Sequence, residues 1–104
     1  MNLLETKTAN INNQTVFKEI DDFMMEMFAT VNIYWLNGDH RTEFVEMMDM
    51  WFEQYALESG KIIQYDIQCD ARNNSKGDDK IHLTLKYRQK NCLNTSEISY
   101  IFEP

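Results

Sequence analysis

Apolar residues recur at helical spacing in the first half of the chain and alternate with polar residues in the second half. The helical pattern begins at Val16 and continues to about Ala29. Its apolar members are Val16, Ile20, Phe23, Met24, Met27 and Phe28. Side chains at this spacing share one face of a helix, so the pattern predicts an amphipathic helix. Thr15 is predicted to cap its N-terminus, because its hydroxyl can accept a hydrogen bond from an unpaired amide of the first turn.

Residues 31–35 are β-branched and aromatic, and their apolar members alternate with Asn32 and Tyr34. This composition favours an extended backbone, so we expect a short extended segment that ends in a turn at Asn37 and Gly38. Continuation of the first helix to Leu36 is the alternative.

A second helix is predicted after this turn, with Asp39 as its N-cap and Gly60 as the left-handed residue that ends it. Its apolar stripe contains Phe44, Met47, Met48, Trp51, Phe52 and Tyr55. A stripe of methionine and aromatic residues could line a ligand groove. Core packing is the preferred interpretation, because an amphipathic helix has to bury such a stripe.

Three strands are predicted in residues 61–70, 80–88 and 98–102, and the first two are separated by a polar loop at 71–79. The residues predicted to face the core are Ile63, Tyr65, Ile67, Cys69, Ile81, Leu83, Leu85, Tyr87, Ile98, Tyr100 and Phe102. One-sided strands favour an antiparallel sheet with one face on the helices and one in solvent. The predicted fold class is therefore α+β, with two helices packed on a small three- to four-stranded, mainly antiparallel sheet.

Residues 1–14 are polar, with only Leu3, Leu4 and Ile11 as large apolar side chains. They are predicted to form an extended N-terminal arm before a single domain of residues 15–104, and a frayed terminus is the alternative. The exposed edges of a small sheet can pair with another chain. An extended arm could supply such a strand to a neighbouring subunit.

The net charge of the 104-residue chain is −7 and is unevenly distributed. Residues 1–58 contain eleven acidic and three basic residues, whereas residues 59–104 contain six acidic and seven basic residues. A negative helical half argues against binding of nucleic acid or an anionic membrane through the helices. The first residues do not match a signal peptide, and no apolar run reaches the length of a membrane span.

No catalytic or metal-binding motif is found in the sequence, so the protein is predicted to be non-enzymatic, with no cofactor and no metal. His40 and His82 show no pattern that would pair them. The carboxylates around the polar loop do not match a calcium loop. Cys69 and Cys92 lack the spacing of a redox or zinc motif, and a disulfide between them stays open.

The segment Tyr65-Asp66-Ile67-Gln68-Cys69-Asp70-Ala71-Arg72-Asn73-Asn74 follows a helix, a short extended segment, a second helix and a glycine. From Val16 onward, this order and the Cys-Asp and Asn-Asn pairs resemble the C-terminal, inner domain of contractile-phage tail sheath proteins. Where that family has a Phe-Glu-Pro-Asn type of turn, this chain has Trp35-Leu36-Asn37-Gly38. The large outer domains of a sheath subunit have no counterpart here, so the chain resembles a free-standing inner domain.

The resemblance implies a structural protein of the virion tail, made in the host cytoplasm, that exchanges strands with neighbouring subunits. Its expected partners are copies of itself or other tail proteins, and not nucleic acid, a membrane or a small molecule. The implied contact elements are the arm at residues 1–14, the strands at residues 81–88 and 98–102 as the edges of the sheet, and the acidic helices as a surface that faces the tail tube. The implied contact residues are Leu3, Leu4, Ile11, His82, Thr84, Lys86, Arg88, Ser99, Ile101, Glu43, Glu46, Asp49 and Glu53. The alternative is a small acidic phage protein whose carboxylates imitate phosphates and inhibit a host nucleic-acid enzyme.

Overall fold

Two helices and four strands make up the part of the chain that the structure, a computed structural model, describes: residues 2–30, 41–69 and 80–103. In chain order they are β1 (Asn2–Ala9), α1 (Gln14–Thr30), α2 (Arg41–Ser59), β2 (Ile62–Gln68), β3 (Ile81–Gln89) and β4 (Ser96–Glu103). The predicted α+β class is confirmed. The predicted extended segment at 31–35, the Asp39 cap and the loop at 71–79 lie outside the described residues.

The four described strands form one antiparallel sheet in the order β1-β4-β3-β2. The predicted arm therefore contributes a strand to its own sheet, with Leu3 opposite Phe102 and Thr8 opposite Ile98. The prediction that β3 and β4 are edge strands is wrong, because β1 covers β4 and β2 covers β3. The edges of the described sheet are β1 and β2.

The core lies between the two helices and one face of β2, β3 and β4. The buried helix residues are Val16, Ile20, Met24, Met27, Phe28, Phe44, Met48 and Phe52. Along β3 and β4 every second residue is buried, which confirms the predicted inward positions of these strands. Phe28 reaches the sheet, where its ring contacts that of Phe102. Removal of these apolar surfaces from water is the main stabilising contribution to a fold of this kind.

A bulge in β2 reverses the predicted orientation of one side chain. The register of β2 against β3 shifts between Ile62 and Gln64. An extra residue in one strand of a pair changes which side chains face the core. Ile62 is consequently buried and Ile63, predicted to face inward, is 54% exposed.

The structure confirms the predicted end of α2 and corrects the predicted start of α1. Gly60 has φ +64° and its amide donates to Ala56 O at 2.9 Å, which confirms the predicted left-handed stop of α2. Thr15, the predicted cap of α1, lies inside the helix. Asn13 is the cap, since its Oδ1 accepts from the amides of Thr15 at 2.9 Å and Val16 at 3.4 Å.

Candidate functional site

The predicted contact residues lie on three separate surfaces and do not converge on one site. Leu3 and Leu4 are on β1, and Ile11 follows in the connection to α1. The outer sheet face, which points away from the helices, contains His82, Thr84, Lys86, Arg88, Ser99 and Ile101. The acidic helix face contains Glu43, Glu46, Asp49 and Glu53 of α2, all exposed.

Strand β1 lies beyond the area that the helices cover. Side chains of residues 3–9 are all exposed, and Leu3 and Leu4 are 43% and 46% exposed. The ion pair between Lys7 and Glu5, 3.4 Å from Nζ to Oε1, is also exposed and therefore adds little stability. Main-chain pairing with β4, rather than burial of side chains, holds this strand in place.

The connection from β1 to α1 is anchored more firmly than the strand itself. The Ser96 hydroxyl donates to Asn10 O at 2.6 Å, and Asn10 adopts φ +56°. Ile11 is half-buried against the core. Asparagine tolerates the left-handed region better than most residues, so Asn10 was the available sequence signal for this turn. The signal is weak, because asparagine is common in loops of every kind.

The outer sheet face carries charges of both signs on a half-buried surface. Lys86 lies opposite Asp66 of β2 and Glu97 of β4. The Thr84 and Ser99 hydroxyls share a hydrogen bond of 3.3 Å. A shallow groove of about 200 Å³ beside β2 includes Arg88 and Thr95 in its lining. Alternating opposite charges favour contact with another protein surface over contact with a run of phosphates.

The two helices carry the negative charge of the molecule. Their sequences contain nine acidic and two basic residues, a net charge of −7 that equals the net charge of the whole chain. Met47 and Met50, 50% and 70% exposed, lie on the solvent side of α2 with the acidic residues. Such a layer attracts basic partners and repels nucleic acid.

Three carboxylates of the helices accept hydrogen bonds from tyrosine hydroxyls. The hydroxyl-to-carboxylate distances are 2.7 Å for Tyr100–Asp21, 2.5 Å for Tyr55–Glu19 and 2.8 Å for Tyr65–Asp49. The bond from Tyr55, with a smaller effect of Lys61, lowers the pKa of Glu19. These bonds tie the helices to each other and to the sheet.

No group of three or more histidine, cysteine, aspartate or glutamate side chains within the described ranges could hold a metal ion. In the same ranges, neither helix is long and apolar enough to cross a membrane. Cys69 is buried and Cys92 half-buried, and they do not form a disulfide. His40 and the aspartates of the 71–79 loop lie outside the described residues.

Comparisons with protein-family models, with curated proteins and with solved structures found no match to this chain. The resemblance to tail sheath proteins therefore stays a prediction.

Proposed function

We propose that this protein is a non-enzymatic structural component of a contractile phage tail, a sheath-like, baseplate, tail-end or neck protein. In this proposal it assembles by exchanging strand β1 with neighbouring subunits. One observation carries the proposal: β1 completes the sheet but buries none of the side chains of residues 3–9. The sequence resemblance supplies the tail context.

Exchange of β1 is physically reasonable because a neighbour's strand can repeat the contacts that β1 makes with its own β4. Release of β1 breaks main-chain hydrogen bonds whose net contribution is about 1 kcal/mol each, and it opens no cavity in the core. The β4 edge that is left unpaired is a template for a strand from another subunit. In a ring or tube, the high local concentration of neighbours favours the exchanged form.

Deletion of residues 1–9 tests the proposal and leaves the Asn13 cap in place. We expect the shortened protein to keep its helical circular dichroism, and to lose assembly with itself or with tail proteins in sedimentation and negative-stain images. The double variant Leu3→Ser/Leu4→Ser is the matched control, because it removes the apolar side chains of β1 and keeps its backbone. Assembly that is unchanged after the deletion would contradict the proposal.

The second candidate is an inhibitor of a host nucleic-acid enzyme, and the acidic helix face favours it. Carboxylates along a helix can occupy the cationic channel in which such an enzyme binds phosphates. The variant Glu43→Gln/Glu46→Gln/Asp49→Asn/Glu53→Gln should then abolish salt-sensitive inhibition of a nuclease or polymerase recovered from host lysate. Glu5→Gln/Glu97→Gln, on the other layer of the molecule, is the control. Deletion of residues 1–9 should leave the inhibition unchanged, which separates the two candidates.

A further inference from the structure

The two edges of the described sheet are complementary in direction. Neighbouring strands alternate in direction across the order β1-β4-β3-β2, so β1 and β2 run in opposite directions. If a second copy lies beside the first in the same orientation, its β2 meets β1 as an antiparallel strand. The alternation of directions then continues from copy to copy, with all helices on one side of a longer sheet.

The regular parts of the two edge strands also match in length. The register of β1 shifts between Leu3 and Glu5, and that of β2 shifts between Ile62 and Gln64. Residues 5–9 of β1 and residues 64–68 of β2 therefore remain as bulge-free stretches of five residues each. Bulges interrupt pairing, so these stretches set the register in which the two edges could join.

Charge supports this register. When the two stretches are aligned end to end in antiparallel fashion, Lys7 lies at the centre of one and Asp66 at the centre of the other. Both positions belong to the outer sheet face, since Lys7 pairs with Ser99 and Asp66 with Lys86. A symmetric pairing of two β1 edges about the same centre would oppose two lysines, and one of two β2 edges would oppose two aspartates. Opposite charges in cross-strand positions stabilise pairing, and like charges destabilise it.

On the helix side, the side chains that meet across the proposed pair are compatible. The exposed apolar residues Leu3 and Leu4 of β1 and Ile63 of β2, 43%, 46% and 54% exposed, lie just outside the paired stretches, at opposite ends of the pair. On the helix side of the proposed pair, Thr6 and Thr8 would lie beside Ile67 and Tyr65, which are half-buried and in contact with the core. Threonine next to aromatic or β-branched residues is a favourable neighbour in a sheet.

We propose that the outer side of β1 in one copy pairs with β2 of a second copy, with Lys7 opposite Asp66. This inference rests on the proposed assembly function and adds the contact through which the assembly would extend from copy to copy. The contact is heterologous, because a different edge is used on each copy, and repetition of it gives a ring or an open filament. The β1–β2 contact can form whether β1 is paired with the β4 of its own chain or with the β4 of a neighbour.

A charge-swap series tests the pairing. Lys7→Glu and Asp66→Lys should each raise the concentration at which half of the protein is assembled, by about three- to tenfold, as expected for like charges in a cross-strand pair. The double variant Lys7→Glu/Asp66→Lys should restore the wild-type value. Lys18→Glu, exposed on α1 and outside both edge strands, is the control for a change of charge alone. A double variant that assembles no better than the single ones would overturn the proposed register.

Disulfide trapping tests the same register without relying on charge. Ala9 and Gln64 are opposite each other in the proposed pair, whereas in one chain their strands are three strand spacings, about 14 Å, apart. A disulfide needs Cα atoms within about 7 Å, so it can form between Ala9→Cys and Gln64→Cys only in different copies. In a Cys92→Ser background, oxidation should yield a ladder of linked oligomers. Ala9→Cys/Gln68→Cys, out of register by four residues, should yield little.

The outcomes separate this inference from the proposed function. Assembly that requires residues 1–9 but shows neither charge rescue nor in-register trapping would overturn the β1–β2 contact and leave strand exchange intact. A wild-type protein that stays monomeric at every concentration and does not associate with tail proteins would overturn both.

Discussion

At the scale of single residues, tyrosine hydroxyls determine how the protein responds to alkali. Burial, as the largest cause, raises the pKa of four tyrosines above the ordinary value of 10: Tyr55, Tyr65, Tyr87 and Tyr100. Hydrogen bonds to carboxylates add to this effect for three of them, and the pKa of Tyr65 reaches about 12. The Tyr87 hydroxyl lies beside that of Ser96 without a hydrogen bond of good geometry.

These shifts predict that the protein loses stability as the pH rises above about 10. The unfolded chain releases its tyrosine protons near pH 10, whereas the folded chain retains them, so alkali favours unfolding. The stabilisation from Tyr65 is complete below pH 10 and is lost as the pH rises to about 12. Urea midpoints measured between pH 8 and 11 should fall, and tyrosinate absorbance should appear together with unfolding. Tyr65→Phe should make the decline less steep, and a midpoint that is constant up to pH 11 would contradict the assignment.

Gly60 offers a test of backbone conformation alone. An added Cβ would meet nothing within 4 Å, so the effect of a substitution should come from the φ of +64°. Gly60→Ala should lower the free energy of unfolding by about 1 kcal/mol, the typical cost of a left-handed non-glycine residue. Gly60→Asn should cost less, because asparagine tolerates this region. Denaturant titration measures both, and an Ala variant as stable as wild type would show that the turn can relax.

At the scale of elements, the start of α1 depends on Asn13. Its side chain accepts hydrogen bonds from two amides that would otherwise lack a partner in the helix. Asn13→Ala should therefore destabilise the protein by about 1 kcal/mol in chemical denaturation. Asn13→Asp keeps the acceptor and places a negative charge at the positive end of the helix, so it should be at least as stable as wild type. Equal losses in both variants would indicate that the cap is not the source of the effect.

The elements that the sequence predicted well are those with buried residues at regular spacing. Val16 to Phe28 in α1 and Ile81 to Tyr87 in β3 repeat apolar residues at the period of their backbone, so element and buried face could both be read from the sequence. Strand β1 has no such repeat, because neither of its faces is buried. Its position depends on pairing with β4, about ninety residues away in sequence, and no local pattern encodes that pairing.

The errors in the predicted contact site also arise from features that no local sequence pattern encodes. The outward residues of β3 and β4 were found because they alternate with buried ones. Their interpretation as edge residues failed, because strand order is a non-local property. The bulge at Ile62 shifts the pattern by one residue without any glycine or proline to mark it. Asn13 and Thr15 are both good capping residues, and only the backbone geometry decides between them.

At the scale of the whole molecule, the helix layer is strongly negative and the sheet layer nearly neutral. The strands and loops together balance their charges, since the helices alone account for the net charge of −7. Copies that form a continuous sheet would bring their helix layers side by side, so these layers would repel one another. Salt screens such repulsion within about 10 Å at 0.1 M. Assembly through the sheet edges should therefore be stronger at 0.3 M salt than at 0.03 M, as measured by sedimentation.

Asn10, in the connection from β1 to α1, is the hinge for the proposed exchange of β1. Its backbone conformation therefore affects how readily β1 leaves its own sheet. In the closed form, Asn10 must remain at φ +56° for β1 to return to its own β4. For a β-branched residue, this left-handed conformation costs about 1–2 kcal/mol. In an exchanged dimer with extended hinges, neither of the two copies of residue 10 would have to adopt it. Asn10→Val should thus lower the dimer dissociation constant at least about tenfold in light scattering after size exclusion. Asn10→Gly, which accepts the closed hinge, should stay near wild type, and a Val variant that remains monomeric would argue that β1 does not leave its own sheet.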